Sequence, residues 1–388
     1  MRGRAATRAA ATAAIIVVGA ATWGWAGSPW RAVVPMARHG WTELPPEARA
    51  QAEGQFRLAA IQFLAAVGGG VALAYTARTY RLSRRGQVTD RMVKALERLG
   101  SAEVYVRIGA IVALEQVAQD APDQATHVQQ ILNAFVRKQV PRRPATDPGA
   151  QLGHVRGPKL PGEPEPDVQA ALATITRPGF RASVETLHRL DLHGLHLRGV
   201  KLPGADLRSA NLREVDLSEA ELRRCDLSGA DLEDAQLVRA DLREVMATGV
   251  NLYRASLSEA WLRDADLSRA RLARVDLTAV GARGADLSGA QLAYARLTGG
   301  ALRDAVLHDA DLSDADLRGA ILRSAQLGGA QLDLADLTNA DLTRADLESV
   351  RNLIAGQVLS ARLRDTRLPP DVAADPEVAK VLSANGTR

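Results

Sequence analysis

From Leu192 to Leu347 a leucine recurs at every fifth residue, giving 32 positions from which only Ala247 and Ala282 depart. With this leucine as position i, i−2 is small and apolar (Ala205, Val215, Cys225, Ala230), i−1 is most often Asp, and i+1 and i+2 are polar or Gly. Five is the period of neither a helix nor a flat strand: on a helix it spirals around the axis, and a strand alternates every two residues. It suits a chain that turns a corner in every unit, with i and i−2 pointing inward and the other three outward. Four units close a square coil of 20 residues, and the 32 units form eight coils. At β-spacing the stack is about 38 Å long, with a dry leucine core.

The units read ADLRS-ANLRE-VDLSE-AELRR-CDLSG from Ala205 and ADLSD-ADLRG-AILRS-AQLGG from Ala310. Tandem A(D/N)LXX in unbroken register resembles the pentapeptide-repeat family. The resemblance implies a mainly β, right-handed quadrilateral β-helix over residues 190–350. It carries no function by itself.

Upstream, two stretches lack charge: residues 9–27, preceded by Arg2, Arg4 and Arg8, and residues 58–77, preceded by Arg57 and followed by Arg78, Arg81, Arg84 and Arg85. Each has the length of a transmembrane helix. The flanking arginines put both chain ends in the cytoplasm, and Trp23, Trp25, Trp30 and Trp41 mark the intervening loop. Residues 1–86 are thus expected to be a two-span hairpin in the cell membrane, with the lipid bilayer as a partner. A cleaved signal peptide and a buried soluble helix are the alternatives for the first and second stretch. Residues 87–140 read as a helical adaptor, with helices over 89–99, 101–119 and 124–140. Residues 141–166 hold seven prolines and read as a linker. Residues 167–189 are expected to be a short helix, capped by Asp167, and an entry into the first coil. Residues 351–388 are expected to be a helical cap and tail, with Leu353, Ile354, Val358 and Leu359 over the open end. The order of spans, helices and repeats, with GQVTDRMVKALERLGS, VRIGAIVALEQVA and QVLSARLRDTRLPPDV, resembles actinobacterial membrane proteins that carry pentapeptide repeats.

Charge is uneven. Residues 1–188 carry net +9, 189–350 net −7 and 351–388 net +2. Nucleic acid is therefore not an expected partner of the rod. The single cysteine, Cys225, occupies an inward position, so no intramolecular disulfide is available. No GxxxxGK[ST], HExxH, GxSxG or CxxC pattern occurs. His188, His193 and His196 sit close together without an accompanying Cys, so they read as structural rather than as metal ligands. The 14 Asp residues at i−1 read as scaffold that hydrogen-bonds nearby backbone at the corners. No catalytic residue, cofactor or metal follows from these patterns.

One face breaks the monotony. At i+1 it stacks Arg223, Arg243, Arg263, Arg283, Arg303 and Arg323, while its i−1 column replaces Asp by Trp261, Gly281, Ala301 and Ile321. Arginine beside exposed aromatic surface is the composition of interface anchors. The candidate docking face is thus the six arginines with Trp261 and Ile321; arginine stems neutralised by Glu244, Asp264 and Asp304 are the plainer reading. The expected function is a non-enzymatic, membrane-anchored interaction scaffold for a protein partner. A topoisomerase-binding DNA mimic and an accessory subunit of a membrane signalling complex are the alternatives, and a homo-oligomer is left open.

Overall fold

The computed structural model describes residues 45–142, 162–184 and 189–385. The chain divides into two compact units, 1–85 and 86–388. Helix α1 spans Pro46–Leu99. In the first unit its side chains from Leu58 to Tyr80 that are described are exposed, among them Ile61, Phe63, Val71, Leu73 and Tyr75.

The expected two-span hairpin is not supported among the described residues. The first stretch, 9–27, lies outside the described residues. The second, 58–77, lies inside α1, and among the described residues no helix is long and apolar enough to cross a membrane. The 89–99 helix is likewise not separate: it is the last part of α1, because an isolated glycine such as Gly86 costs a helix only about 1 kcal/mol and does not end it.

In the second unit Ala95 is buried, with Val88, Met92 and Leu99 packed beside it. Helix α2 (Val104–Asp120) is followed by a 3-10 turn at Pro122–Gln124, helix α3 (Ala125–Gln139), helix α4 (Pro166–Ile175) and a single turn, α5 (Pro178–Arg181). Leu114, Val117, Val128, Leu132, Val136, Leu172 and Ile175 form their shared core. Helix α2 begins after the expected Ser101, whose Oγ accepts the Glu103 N–H (3.1 Å). Asp167 is not the cap of α4, which follows Glu165 with Pro166 in its first turn. The Asp167 carboxylate, 1% exposed, instead receives Arg107 Nε at 2.5 Å. Arg107 Nη1 also donates to the carbonyls of Ser101 and Ala102. This ties the start of α2 to α4.

The repeat region is a right-handed β-helix solenoid. Parallel bridges join each i−1 residue to its equivalent 20 residues on, four per coil, beginning at Asp191↔Asn211, His196↔Asp216, Lys201↔Glu221 and Asp206↔Asp226. We call the four sides A to D, after the Leu192, Leu197, Leu202 and Leu207 columns. The leucines and the i−2 residues are buried throughout. From Leu192 to Leu332 the N–H at i donates to the next coil's i−1 carbonyl, as in Leu207 N–H to Asp226 O at 2.8 Å. Within a unit, the N–H at i+3 returns to the carbonyl at i (Ala210 to Leu207, 3.1 Å), closing a β-turn. The residue at i+2 then takes positive φ, whether Gly229 (64°), Glu259 (58°) or Tyr294 (60°). Such a conformation is disfavoured for a residue with a Cβ. It is held here because the i+2 N–H also reaches the next coil, as in Glu259 to Thr278 O (2.9 Å).

The corner Asp residues act as the sequence predicts. Asp206, Asp216, Asp226, Asp266 and Asp286 each accept through Oδ1 the N–H at i+1, at 2.9–3.1 Å. Where the leucine file lapses, the core compensates in part: Ala247 and Ala282 both follow a valine at i−2, Val245 and Val280. A dry void of about 10 Å³ remains beside Ala247. One coil beyond Val280 stands Gly300, where a Cβ would come within 3.3 Å of Val280 Cγ1.

Other parts of the chain cover the start of the solenoid and part of its far end. At the start, the edge N–H groups of His196, Lys201 and Asp206 donate to Pro141 O (3.1 Å), Gln169 Oε1 (3.0 Å) and Thr176 O (2.7 Å). At the far end the chain leaves the coil after Arg351, makes the short helix α6 (Ala355–Val358), and re-enters through bridges at Asp341↔Arg362 and Asp346↔Arg367. The re-entry is slipped by one residue, with Leu342 N–H on Arg362 O where the regular partner would be residue 361. Of the four expected cap residues, Leu353 and Val358 are buried, whereas Ile354 and Leu359 are exposed. Helices α7 (Pro370–Ala373) and α8 (Pro376–Asn385) follow.

Candidate functional site: the arginine and tryptophan face

Side C carries the arginine column. The coil geometry places an i+1 side chain next to the i−1 side chain 18 residues later. Arg323 Nε reaches Asp341 Oδ2 at 2.6 Å in this way, and Thr248 Oγ1 reaches Asp266 Oδ2 at 2.7 Å. By the same rule Arg243 meets Trp261, its guanidinium carbon 5.5 Å from the ring centroid. Arg263, Arg283 and Arg303 meet Gly281, Ala301 and Ile321, which offer no carboxylate.

The arginines are therefore not one free basic ladder. Arg223 lies 3.9 Å from Asp241 and 3.7 Å from Glu244. Arg243 forks onto Asp241, with Nε at 2.7 Å and Nη2 at 2.5 Å. Arg263 pairs with Asp264 (3.1 Å) and Arg283 with Asp304 (3.3 Å). Only Arg303 has no ion pair among the described residues; its 18-residue partner is Ile321 and its 21-residue partner Ser324. The Arg263–Asp264 and Arg283–Asp304 pairs are exposed and individually weak, whereas the Asp241 carboxylate is nearly buried. Electrostatically, the face is a lattice of local pairs rather than a strong positive field.

What the structure does bring together is apolar. Bridges Trp261↔Gly281, Gly281↔Ala301 and Ala301↔Ile321 set these four residues in one file across four coils. Trp261 is 51% and Ile321 37% exposed. The indole leans toward Gly281, whose Cβ would lie 3.7 Å from Trp261 Cδ1. Gly281 and Ala301 thus floor a shallow strip about 14 Å long, three coil spacings, with a larger apolar side chain at each end. These four successive corners also lack the Asp acceptor, the longest such run on any side. The Arg243–Trp261 stack was not read from the sequence; its signal, the 18-residue spacing, emerges once the coil is known.

Among the described residues no other cluster offers chemistry. His193 Nδ1 is 2.7 Å from Asp191, which also receives Arg137 (2.9 Å), and His196 lies 2.8 Å from Asp216. The Arg137 contact ties the first coil to α3, and the His196 contact ties it to the second coil. Burial pushes the Cys225 thiol up to about 11, and its sulfur lies 2.8 Å from Leu202 O. Such a thiol is a poor nucleophile. Among the described residues no group of three or more His, Cys, Asp or Glu could hold a metal ion; His188 lies outside them.

The Pentapeptide repeats family matches in eight copies, at residues 191–229, 225–260, 251–289, 285–323 and 322–351. Among solved structures, the chain is similar to HetL, a pentapeptide repeat protein involved in heterocyst differentiation regulation from the cyanobacterium Nostoc sp. strain PCC 7120. That match has 28% identity over 44% of this chain and 86% of HetL, with a TM-score of 0.30. QnrB1, a plasmid-mediated fluoroquinolone resistance protein, matches at 18% identity over 50% of this chain and 84% of its own, with a TM-score of 0.25. Rfr23 from the cyanobacterium Cyanothece 51142 matches at 20% identity over 45% and 87%, with a TM-score of 0.15. No curated protein matches the chain.

Proposed function

Residues 191–351 belong to the pentapeptide-repeat family, and on that footing we propose that the chain is a non-enzymatic scaffold that binds a protein partner through side C of its rod. The observation that carries this reading is the run Trp261, Gly281, Ala301, Ile321. Four corners in a row give up a stabilising acceptor and expose an apolar file. Loss of local stability in exchange for exposed aromatic surface is the usual mark of a binding site. The arginines border the strip. Their stems add contact area, and Arg303 brings the one side-C guanidinium of the column without an ion pair among the described residues.

Placement at the inner face of the cell membrane, as expected from the sequence, is part of the same proposal. What supports it is the uncovered apolar run of α1 beside Arg78 and Arg81. Cell fractionation tests it: recovery of the full chain in the soluble fraction overturns that placement.

The docking reading is tested with a photo-crosslinking amino acid in place of Ala301, irradiated in cells, and mass spectrometry of the adduct. A single dominant protein is expected. Trp261→Ser should remove the adduct while leaving the melting temperature unchanged. A persistent adduct refutes the docking face, and a topoisomerase subunit in the adduct assigns the partner to the DNA-mimic alternative.

A further inference from the structure

The last coil is closed unevenly. On sides C and D the returning chain takes up the edge donors: Leu342 N–H binds Arg362 O (3.0 Å), Arg344 N–H binds Arg364 O (2.8 Å) and Leu347 N–H binds Arg367 O (2.9 Å). Between them and Arg351 the chain bows out into α6, and the corner of sides A and B is left uncovered. One coil earlier, the N–H groups of Asp314, Leu317 and Gly319 end on the carbonyls of Asp333, Asp336 and Thr338 (2.8–2.9 Å). Their counterparts on Leu334, Leu337 and Asn339 find no acceptor among the described residues. Leu334 and Leu337 line the open cleft beside them, so these are solvent-facing edge donors of the kind that a further strand takes up.

The chain has partly filled the gap with one side chain. Gln357 Nε2 donates to the carbonyls of Leu332 (2.8 Å) and Ala335 (2.9 Å), standing in for a strand backbone. Beyond it lies an open cleft of about 670 Å³ between Leu334–Thr338 and Ile354–Gln357. Leu334 is 78% exposed at its mouth, although it sits in a positive-φ corner (53°) where glycine is easier. Asp333 and Asp336 line the same cleft; Asp336 lies 3.7 Å from Arg318, and Asp333 has no ion pair among the described residues.

We infer that this open corner receives an extended polypeptide strand of basic character from a partner protein, which completes the ninth coil. Three points select this occupant. The unused groups are main-chain donors spaced as the coil spaces them, so a backbone with carbonyls in strand register answers them best. The opposite end of side B shows the same solution in place: the extended Pro141–Arg142 segment pairs with the first coil, with a bridge at Arg142↔Leu195 and Pro141 O on His196 N–H. Finally, the cleft carries two carboxylates and apolar Leu334 and Ile354, which match a strand bearing Arg or Lys beside an aliphatic residue. The segment that already pairs with the neighbouring corners, SARLRDTR at residues 360–367, has that composition.

Amide hydrogen exchange on the full chain tests this. Without additions, the amides of Leu334, Leu337 and Asn339 should exchange at least about 100-fold faster than those of Asp314, Leu317 and Gly319. A synthetic blocked peptide of sequence SARLRDTR should slow those three amides at least about tenfold, and Asp333→Lys should remove most of that protection. A control peptide with Glu for each Arg should give none. Three results overturn the inference: equal protection of the two coils without peptide, protection unchanged by SARLRDTR, or equal protection by the control. Protection that rises with protein concentration alone also overturns it, because the strand would then come from a second copy.

Discussion

Asp316 holds Arg318 by three bonds. Its Oδ1 accepts the Arg318 N–H (3.1 Å) and Nε (2.8 Å), and its Oδ2 accepts Nη2 (2.7 Å). This is the corner device of the rod with a salt bridge added, and Asp206–Arg208 and Asp241–Arg243 repeat it. Arg318 hydrogen bonding holds the Asp316 carboxyl down at about 2. For Asp206, Asp241, Asp266 and Asp341, burial alone would raise the value, but hydrogen bonds from Arg208, Arg243, Ser268, Thr343 and Arg323 outweigh it and lower it.

The pH dependence follows in sign. A carboxyl lowered in the folded state stabilises it above the unfolded value, about 3.9, and that contribution is lost as pH falls through the folded value, about 2 for Asp316. Urea unfolding followed from pH 7 to pH 2 should show stability falling mainly below pH 4. Asp316→Asn should flatten part of that fall. A midpoint that does not move between pH 4 and pH 2 contradicts the corner model.

Restoring the corner rule on side C separates stability from binding. Ala301→Asp gives the Arg303 N–H an acceptor and Arg303 a near carboxylate. It should raise unfolding stability by about 0.5–1.5 kcal/mol while abolishing capture of the partner. A variant that is less stable, or equally stable and fully competent, argues against the trade.

The void beside Ala247 calls for a cavity-filling test. Ala247→Val adds two methyl groups in a leucine file and should raise stability by about 1 kcal/mol. Chemical denaturation measures it. A loss would mean that Val245 already fills the space and that the core is overpacked.

The Arg107–Asp167 pair is nearly buried on both sides, 12% and 1% exposed. Arg107→Met leaves a buried carboxylate without its partner and should cost about 3–5 kcal/mol. Exchange at α4 should accelerate more than exchange in the middle of the rod. The double variant Arg107→Met, Asp167→Leu should recover much of the loss.

Legibility in the sequence was greatest where side chains recur with the backbone. The leucine file, the inward i−2 position and the role of Asp206 or Asp226 at the corner all follow from a five-residue period. Contacts between coils were less legible, because Arg243 and Trp261 become neighbours only through the 18-residue step. Part of the pairing of the arginine column was hidden for the same reason: Asp241 and Asp341 reach it from the i−1 column. Around Gly86 the sequence suggested a break between an apolar run and an amphipathic helix, yet a glycine alone does not interrupt α1. The uncovered corner at Leu337 depends on a one-residue slip after Arg351, which leaves no periodic trace.

Because a coil is four units of five residues, the rod measures angle as well as length. Excising one unit between Leu217 and Leu237 would turn every downstream column a quarter circle against α4 while keeping the leucine file. Excising four would shorten the rod by about 4.8 Å and restore the original bearing. The direction in which Trp261 faces is thus set by a count of residues modulo 20, so insertions that are harmless to folding can still aim the rod at the wrong neighbour.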